Sequence, residues 1–458
     1  MTEIADLSAV DLAEAIRRRA ISPVEATEAA LERIEARRDL NAFVTVAADA
    51  ARAEARAAEA AVMRGDELGL LHGVPYSVKD LLATAGVRTT MGSRLFAESV
   101  PAEDAVSVAR ARAAGGIMIG KTTTPEFGHA QTASSPLTGL TLNPIDPGVT
   151  AGASSSGSAV AVAAGMGPLS IGTDGGGSIR IPAACCGIVG MKPTLGVIPH
   201  LALPDLFAAN SFAGPMARTV ADAALFFQAM AGPDPRDPYG QAAVQLYPDD
   251  GRGLRGLRIG WIPTAGARVE RETAEITQAA LRRIEAEGAV VEEADLDFRS
   301  FEPVFLTLLR VGLAARAAPA FAGREDLVAP SLVETARLGQ GYSAVDLAEA
   351  SAARTRLFQM MQAHFARFDL LVSPVLTAPP LALGYDPMGE IEIDGQPAGT
   401  IRGAWYPFTY PQNLTGHPAI SLPWGRTRAG LPVALQLCAP WYRDRMLLRL
   451  ADMVMRLA

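Results

Sequence analysis

Residues 152–180 read GASSSGSAVAVAAGMGPLSIGTDGGGSIR. Two serine-glycine loops, Gly152–Ser158 and Gly172–Arg180, enclose a stretch of small apolar residues. Ser158–Met166 has the composition of a tightly packed helix, and Leu169–Thr173 reads as a short buried strand running into three glycines. With the alternation of helix and strand along the rest of the chain, this points to an α/β fold with a mixed sheet between helices. With no Cβ between Asp174 and Ser178, the amides of Gly175, Gly176, Gly177 and Ser178 can converge on one point. That is what the oxyanion of an acyl-transfer reaction needs beside its nucleophile.

Other glycine-loop chemistries fit less well. A Walker-type loop places Lys-Ser/Thr after its last glycine, whereas Ser178 is followed by Ile179-Arg180, and no Gly-x-Gly-x-x-Gly opens a helix here. Taken alone, Ser154 and Ser155 read as N-caps of the Ala-rich helix. Their meaning changes with Lys79, in Gly73-Val-Pro-Tyr-Ser-Val-Lys79-Asp80. The chain has 41 basic residues and keeps lysine at three positions, Lys79, Lys121 and Lys192. A buried ammonium can lose its proton and a guanidinium cannot, so retained lysines are candidate bases. At Lys121 and Lys192 packing of the four-carbon stem is the simpler reading. No Gly-x-Ser-x-Gly elbow and no His/Asp pair offers another route to an activated serine.

Outward from this stretch the pattern alternates helix and strand. The first sixty residues are helical in spacing, with a capping box at Ser22-Pro-Val-Glu25. Ile117–Ile119 reads as a buried strand and Ala217–Ala231 as a helix ended by Gly232-Pro233. Leu257–Ile262, Glu270–Glu287 and Ala289–Glu293 make a βαβ-like unit, and residues 300–366 are mostly helical. Strands return at Asp369–Ser373, Ala419–Leu422 and Val433–Leu437, before a final helix from about Arg443.

The chain has 458 residues, 49% hydrophobic and 20% charged, in the range of a globular protein with a large core. Its net charge of −8, without clustered Lys/Arg, argues against a nucleic-acid surface. The long uncharged run from Pro147 to Thr173 is Ser/Gly-rich and broken by Pro168, so it reads as core and no membrane span is expected. The first residues lack signal-peptide character, and three cysteines make no disulfide framework; both lead to the expectation of a cytoplasmic protein. Five scattered histidines give no zinc spacing, so no metal or cofactor is expected.

The motifs Gly73–Asp80, Gly120-Lys-Thr-Thr-Thr-Pro-Glu-Phe127, Asn143-Pro144, Gly152–Ser158, Gly172–Ala183, Gly187–Thr194, Gly214–Thr219 and Asn413–Pro423 together resemble the amidase signature family of serine hydrolases. The resemblance covers most of the chain. It implies one domain over residues 1–458, with a signature core at about 70–231, N-terminal helices at 1–65, and a C-terminal half at 255–458 completing the same sheet. The implied fold is a mixed, mostly parallel central sheet flanked by helices on both faces. The implied triad falls on Ser178 as nucleophile, Ser154 as bridging serine preceded by a cis peptide bond, and Lys79 as base. The implied oxyanion donors are the backbone of Gly175, Gly176, Gly177 and Ser178, with Ser155, Asp174 and Arg180 as supporting groups. The chain departs from the family pattern at Ala153 and Ser156, where paired glycines are usual, and at Gly175, where a hydroxyl residue is frequent.

The leading reading is therefore a carboxamide hydrolase working through an acyl-Ser178 intermediate on a small molecule, as monomer or homodimer. An esterase or urethanase with the same triad and the glutaminase component of a tRNA-dependent amidotransferase are the alternatives. Substrate choice is expected outside the core motifs, with Thr132, Leu203, Phe207 and Trp405 as candidate wall residues and a lean toward hydrophobic or aryl amides.

Overall fold

The computed structural model describes residues 3–208, 210–241, 246–247 and 249–458. The chain opens with helices α1 (Ala9–Arg17), α2 (Pro23–Ala36) and α3 (Ala48–Arg64), with strand β1 (Phe43–Val46) between the last two. The capping box at Ser22 is present, with Glu25 N donating to Ser22 Oγ and Ser22 N to the Glu25 carboxylate. Next come β2 (Pro75–Lys79), α4 (Val106–Ala113), β3 (Ile117–Thr122) and the short pair β4 (Ser134–Ser135) and β5 (Gly139–Leu140). The glycine-serine stretch folds as α5 (Ser156–Ala163), β6 (Leu169–Asp174) and α6 (Arg180–Cys186). After it come β7 (Val189–Lys192), β8 (Phe212–Ala217) and α7 (Val220–Met230).

The second half begins with the βαβ unit β9 (Arg258–Trp261), α8 (Arg271–Ala286) and β10 (Val290–Glu293). Helices α9 (Glu302–Phe321), α10 (Pro330–Gln340) and α11 (Ala344–Phe365) fill the expected helical region. The chain continues with β11 (Leu370–Pro374), the hairpin β12 (Glu390–Ile393) and β13 (Gln396–Thr400), and short helices α12 (Ile401–Trp405) and α13 (Tyr410–Thr415). It ends with β14 (Ala419–Arg426), β15 (Pro432–Cys438) and α14 (Asp444–Met455).

Eleven of these strands form one mixed sheet in the order β1-β3-β2-β6-β8-β7-β14-β15-β11-β9-β10, which draws strands from both halves of the chain. Parallel pairing is grouped in two blocks, β3-β2-β6 and β11-β9-β10, where helical crossovers connect the strands. Antiparallel ladders join these blocks through β8, β7, β14 and β15 and add β1 at one edge. Helices cover both faces, as the alternation of β3 shows. Met118 packs with α1, α7 and α14 residues, whereas Ile117 and Ile119 pack with α2, α3 and α5 residues.

Among the described residues, the helix Arg299–Phe321 is long and apolar enough to cross a membrane by length and composition. In the fold it packs against α10 and α11, with Leu313, Ala317 and Phe321 buried.

Candidate active site

Strands β2 and β6 lie side by side in parallel, Val78 opposite Ile171, so their C-terminal ends open on the same edge of the sheet. Open α/β sheets bind ligands at such edges. Lys79 ends β2, and Thr173-Asp174 end β6. The Lys79 side chain is completely buried, with Nζ hydrogen-bonded to Ser154 Oγ at 2.7 Å, Thr173 Oγ1 at 2.9 Å and Thr173 O at 3.3 Å. Burial pushes the Lys79 ammonium well below an ordinary lysine, and the Asp174 charge pulls weakly the other way. A neutral amine has two N–H bonds for the Thr173 oxygens and one lone pair to face the Ser154 hydroxyl.

Lys121 is buried as well, and burial pushes its ammonium down to about 7; its Nζ donates to Thr84 Oγ1 at 2.8 Å, Thr89 Oγ1 at 2.9 Å and the Leu82 carbonyl. Lys192 donates to Pro193 O at 2.8 Å and lies 3.7 Å from the centre of the Phe212 ring. Neither touches a candidate nucleophile.

The Ala153–Ser154 peptide bond is cis. Ser155 occupies the N-cap position of α5 without capping it. Its Oγ donates instead to Thr173 O at 3.2 Å and accepts from Thr173 N at 3.3 Å, while Ser155 N donates to Ser178 O at 3.1 Å. The two serine-glycine loops are thus laced to each other and to the end of β6. Ser154 and Ser178 line one cavity of about 100 Å³ together with Thr173, Gly175 and Gly176. Ser178 is 7% exposed, and its side chain makes no hydrogen bond among the described residues.

Behind the glycines, Asp174 and Arg180 form an ion pair with both side chains out of solvent. Arg180 also donates to Gln412 Oε1, Gln436 Oε1 and Asn413 Oδ1, and Asn413 Nδ2 donates back to Asp174 Oδ1. Burial alone would raise the Asp174 carboxyl; the Arg180 charge and hydrogen bonds overcome it and hold the group well below the usual carboxylate range.

Gly177 leaves the expected oxyanion set, because its amide already donates to Asp174 Oδ1 at 2.6 Å. It is needed for shape instead. With φ at +119°, a Cβ there would stand 2.4 Å from Thr409 Oγ1. Gly175, Gly176 and Ser178 remain at the cavity wall.

Of the expected wall residues, Leu203 lines the cavity. Thr132 lines an adjoining hollow that shares His129 with it. Phe207 is 78% exposed and outside the cavity. Trp405 is fully buried, its Nε1 donating to Ala378 O, and the next residue, Tyr406, lines the cavity in its place. Sequence reasoning missed His129, Gln131, Arg316 and Arg402, which reach the cavity from three separate segments. A hollow of about 700 Å³ between α7 and α14 holds none of these groups.

The amidase family profile matches residues 25–448. The chain belongs to the amidase signature family. It is 36% identical to an acylamidase of Rhodococcus erythropolis, over 97% of this chain and 94% of the other. It is also 35% identical to a glutamyl-tRNA(Gln) amidotransferase subunit of Roseiflexus sp. (strain RS-1), over 100% of this chain and 97% of that one. A solved bacterial aryl acylamidase of the amidase signature family superposes with a TM-score of 0.90 at 29% identity, covering 99% of this chain and 96% of the other. This amidase is a serine hydrolase of the Ser-cisSer-Lys type acting on carboxamide C–N bonds.

Proposed function

We propose that this amidase cleaves small amides with an apolar or aryl body, with Ser178 as nucleophile, Ser154 as bridging hydroxyl and Lys79 as base. The observation that carries this reading is the 2.7 Å hydrogen bond between Lys79 Nζ and Ser154 Oγ on a lysine completely removed from water. As Ser178 Oγ bonds to the carbonyl carbon, its proton passes to Ser154 Oγ, and the Ser154 proton passes to Lys79 Nζ. The amides of Gly175, Gly176 and Ser178 receive the oxyanion. The C–N bond then breaks as the relay returns a proton to the leaving nitrogen. Water, activated by the same relay, cleaves the acyl ester and releases the carboxylic acid.

The apolar lean is supported by the cavity wall, which includes Leu81, Phe127, Leu203, Phe305, Leu309 and Leu313. It is supported also by the acylamidase and aryl acylamidase relatives. The test is a panel of p-nitroanilides with the purified chain. Ser178→Ala, Ser154→Ala and Lys79→Ala are each expected to lower turnover by orders of magnitude while remaining folded, and mass spectrometry is expected to find an acyl group on Ser178. Full activity in Ser178→Ala refutes the assignment. Matched anilide, ester and carbamate substrates rank the three bond types.

A second reading, the glutaminase component of a tRNA-dependent amidotransferase, is favoured by the 35% identity to the Roseiflexus protein. It requires a partner chain. Turnover of aryl amides by this chain alone, without glutamine hydrolysis, removes it.

A further inference from the structure

The cavity beside Ser178 is lined by two arginines, Arg402 and Arg316, and, among the described residues, by no carboxylate. Arg402, on α12, is 7% exposed and makes no hydrogen bond or ion pair among the described residues. Arg316, on α9, is half-buried; its Nε is buried without a partner and its Nη2 makes one long bond, 3.4 Å to Phe127 O. Arg180 shows how this fold treats a buried guanidinium that has no ligand to meet, since acceptors from Asp174, Gln412, Asn413 and Gln436 surround it. Arg402 thus presents a guanidinium that the chain leaves unpaired to the cavity, and Arg316 one that it pairs only weakly, so both are available to an anion that arrives with the substrate.

The polar groups around Arg402 agree. His129 Nδ1 is buried on a cavity-lining residue without a hydrogen-bond partner among the described residues, and Gln131 Oε1 and Tyr406 Oη, also buried there, lie close to each other without a bond of standard geometry. Arg402 lies near both His129 and Tyr406, and the Glu302 carboxylate, which does not line the cavity, also acts on Tyr406. Burial pushes the His129 imidazole down to about 4, with Arg402 adding to the effect, so it brings no charge of its own at neutral pH. The apolar side chains and these polar groups line the same cavity, so one molecule can meet both.

We infer that the amide substrate carries a carboxylate, received by Arg402 and Tyr406 on the cavity wall, with Arg316 as a second cation there. A planar carboxylate matches the guanidinium fork, and a cavity of about 100 Å³ suits a short acid rather than a larger anion. The inference rests on the proposed hydrolysis at Ser178 and narrows its substrate class to apolar amides ending in an acid.

The test uses two matched pairs on the purified chain. In the first the acid is on the acyl side, the p-nitroanilide of succinic acid against that of isohexanoic acid. In the second it is on the amine side, the acetyl amide of p-aminobenzoate against that of p-isopropylaniline. The carboxylate member is expected to win in one pair by about tenfold or more in kcat/KM, mainly through KM. Arg402→Met is expected to collapse that ratio, and Arg402→Lys to restore part of it. Equal or better turnover of the neutral member in both pairs overturns the inference, and needs no variant to read. Cleavage of neutral anilides that Ser178→Ala abolishes, with no carboxylate preference, defeats this inference and leaves the hydrolase reading intact. Conversely, succinate that raises the melting temperature of Ser178→Ala but not of Ser178→Ala/Arg402→Met, in a chain that cleaves no amide, keeps the carboxylate site and defeats the hydrolase reading.

Discussion

The Asp174 carboxylate and the Arg180 guanidinium meet fork to fork, Nε to Oδ2 at 3.0 Å and Nη2 to Oδ1 at 3.1 Å. The same carboxylate takes the amides of Gly177 at 2.6 Å and Ile179 at 3.2 Å, so it fixes the turn that presents Ser178. Removing one partner leaves the other charge buried and alone, at a cost of about 3–5 kcal/mol. Arg180→Met is therefore expected to lower the unfolding free energy by that amount in urea titration and to lower turnover with it. A loss below about 1 kcal/mol contradicts this account.

The pair also sets an acid limit. Asp174 titrates below its unfolded value of about 4, so its stabilising contribution is complete above about pH 4 and is lost as pH falls toward the folded pKa. Wild type and Asp174→Asn are expected to converge in stability as the solution is acidified. Unfolding curves at stepped pH check it.

Lys79 acts in the opposite sense. Its folded pKa lies well below the unfolded value of about 10.4, so between the two the unfolded chain binds the extra proton and stability rises with pH. Lys79→Met is expected to remove that slope and to be more stable than wild type below the window, while losing activity. In wild type, kcat/KM is expected to fall on the acid side as Nζ becomes protonated. Parallel stability curves for the two proteins across neutral to alkaline pH would refute a neutral Lys79.

Much of this was readable from residue pattern. Helix α5 and strand β6 follow from the small apolar run after Ser156 and the strand before the triple glycine, and the βαβ unit β9-α8-β10 from period and turn residues. The central strands β7 and β8 were not. Both are buried along their whole length, so they show no alternation, and Gly214-Pro215 inside β8 imitates a turn. Lys79, Ser154 and Ser178 stood out because each sits in a motif rich in glycine or otherwise poor in lysine. Arg316 and Arg402 carry no such local mark in a chain that uses arginine nearly everywhere, and only the packing of α9 and α12 brings them to one cavity. Trp405 misses by one position, because α12 ends at Trp405 with that side chain in the core, and Tyr406, where the backbone leaves the helix, reaches the cavity.

Ser156 stands where the family pattern has glycine, and its cost can be measured. The residue is fully buried and its Oγ has no hydrogen-bond partner among the described residues. An unsatisfied buried hydroxyl costs about 1–3 kcal/mol. Ser156→Ala removes it while keeping a good helix former in the first turn of α5, and is expected to raise stability by about 1 kcal/mol with turnover retained. A fall in melting temperature would show that the hydroxyl is satisfied in solution.

Gly128 and Gly175 both border the cavity and lead to opposite expectations. At Gly128 φ is +69°, and a Cβ would stand 2.7 Å from Leu81 Cδ1 and 3.2 Å from Ser154 Oγ. Gly128→Ala is thus expected to destabilise by about 1 kcal/mol through the backbone and to push on the bridging serine, lowering kcat more than KM changes. At Gly175 a Cβ meets no atom within 4 Å. Gly175→Ser is expected to fold with wild-type stability, because the new side chain enters open space and the backbone amide stays in place. Its effect should fall on substrate size, with bulky anilides losing kcat/KM relative to small ones. Equal losses for every substrate in Gly175→Ser would mean that the side chain disturbs the oxyanion amides rather than the space beside them.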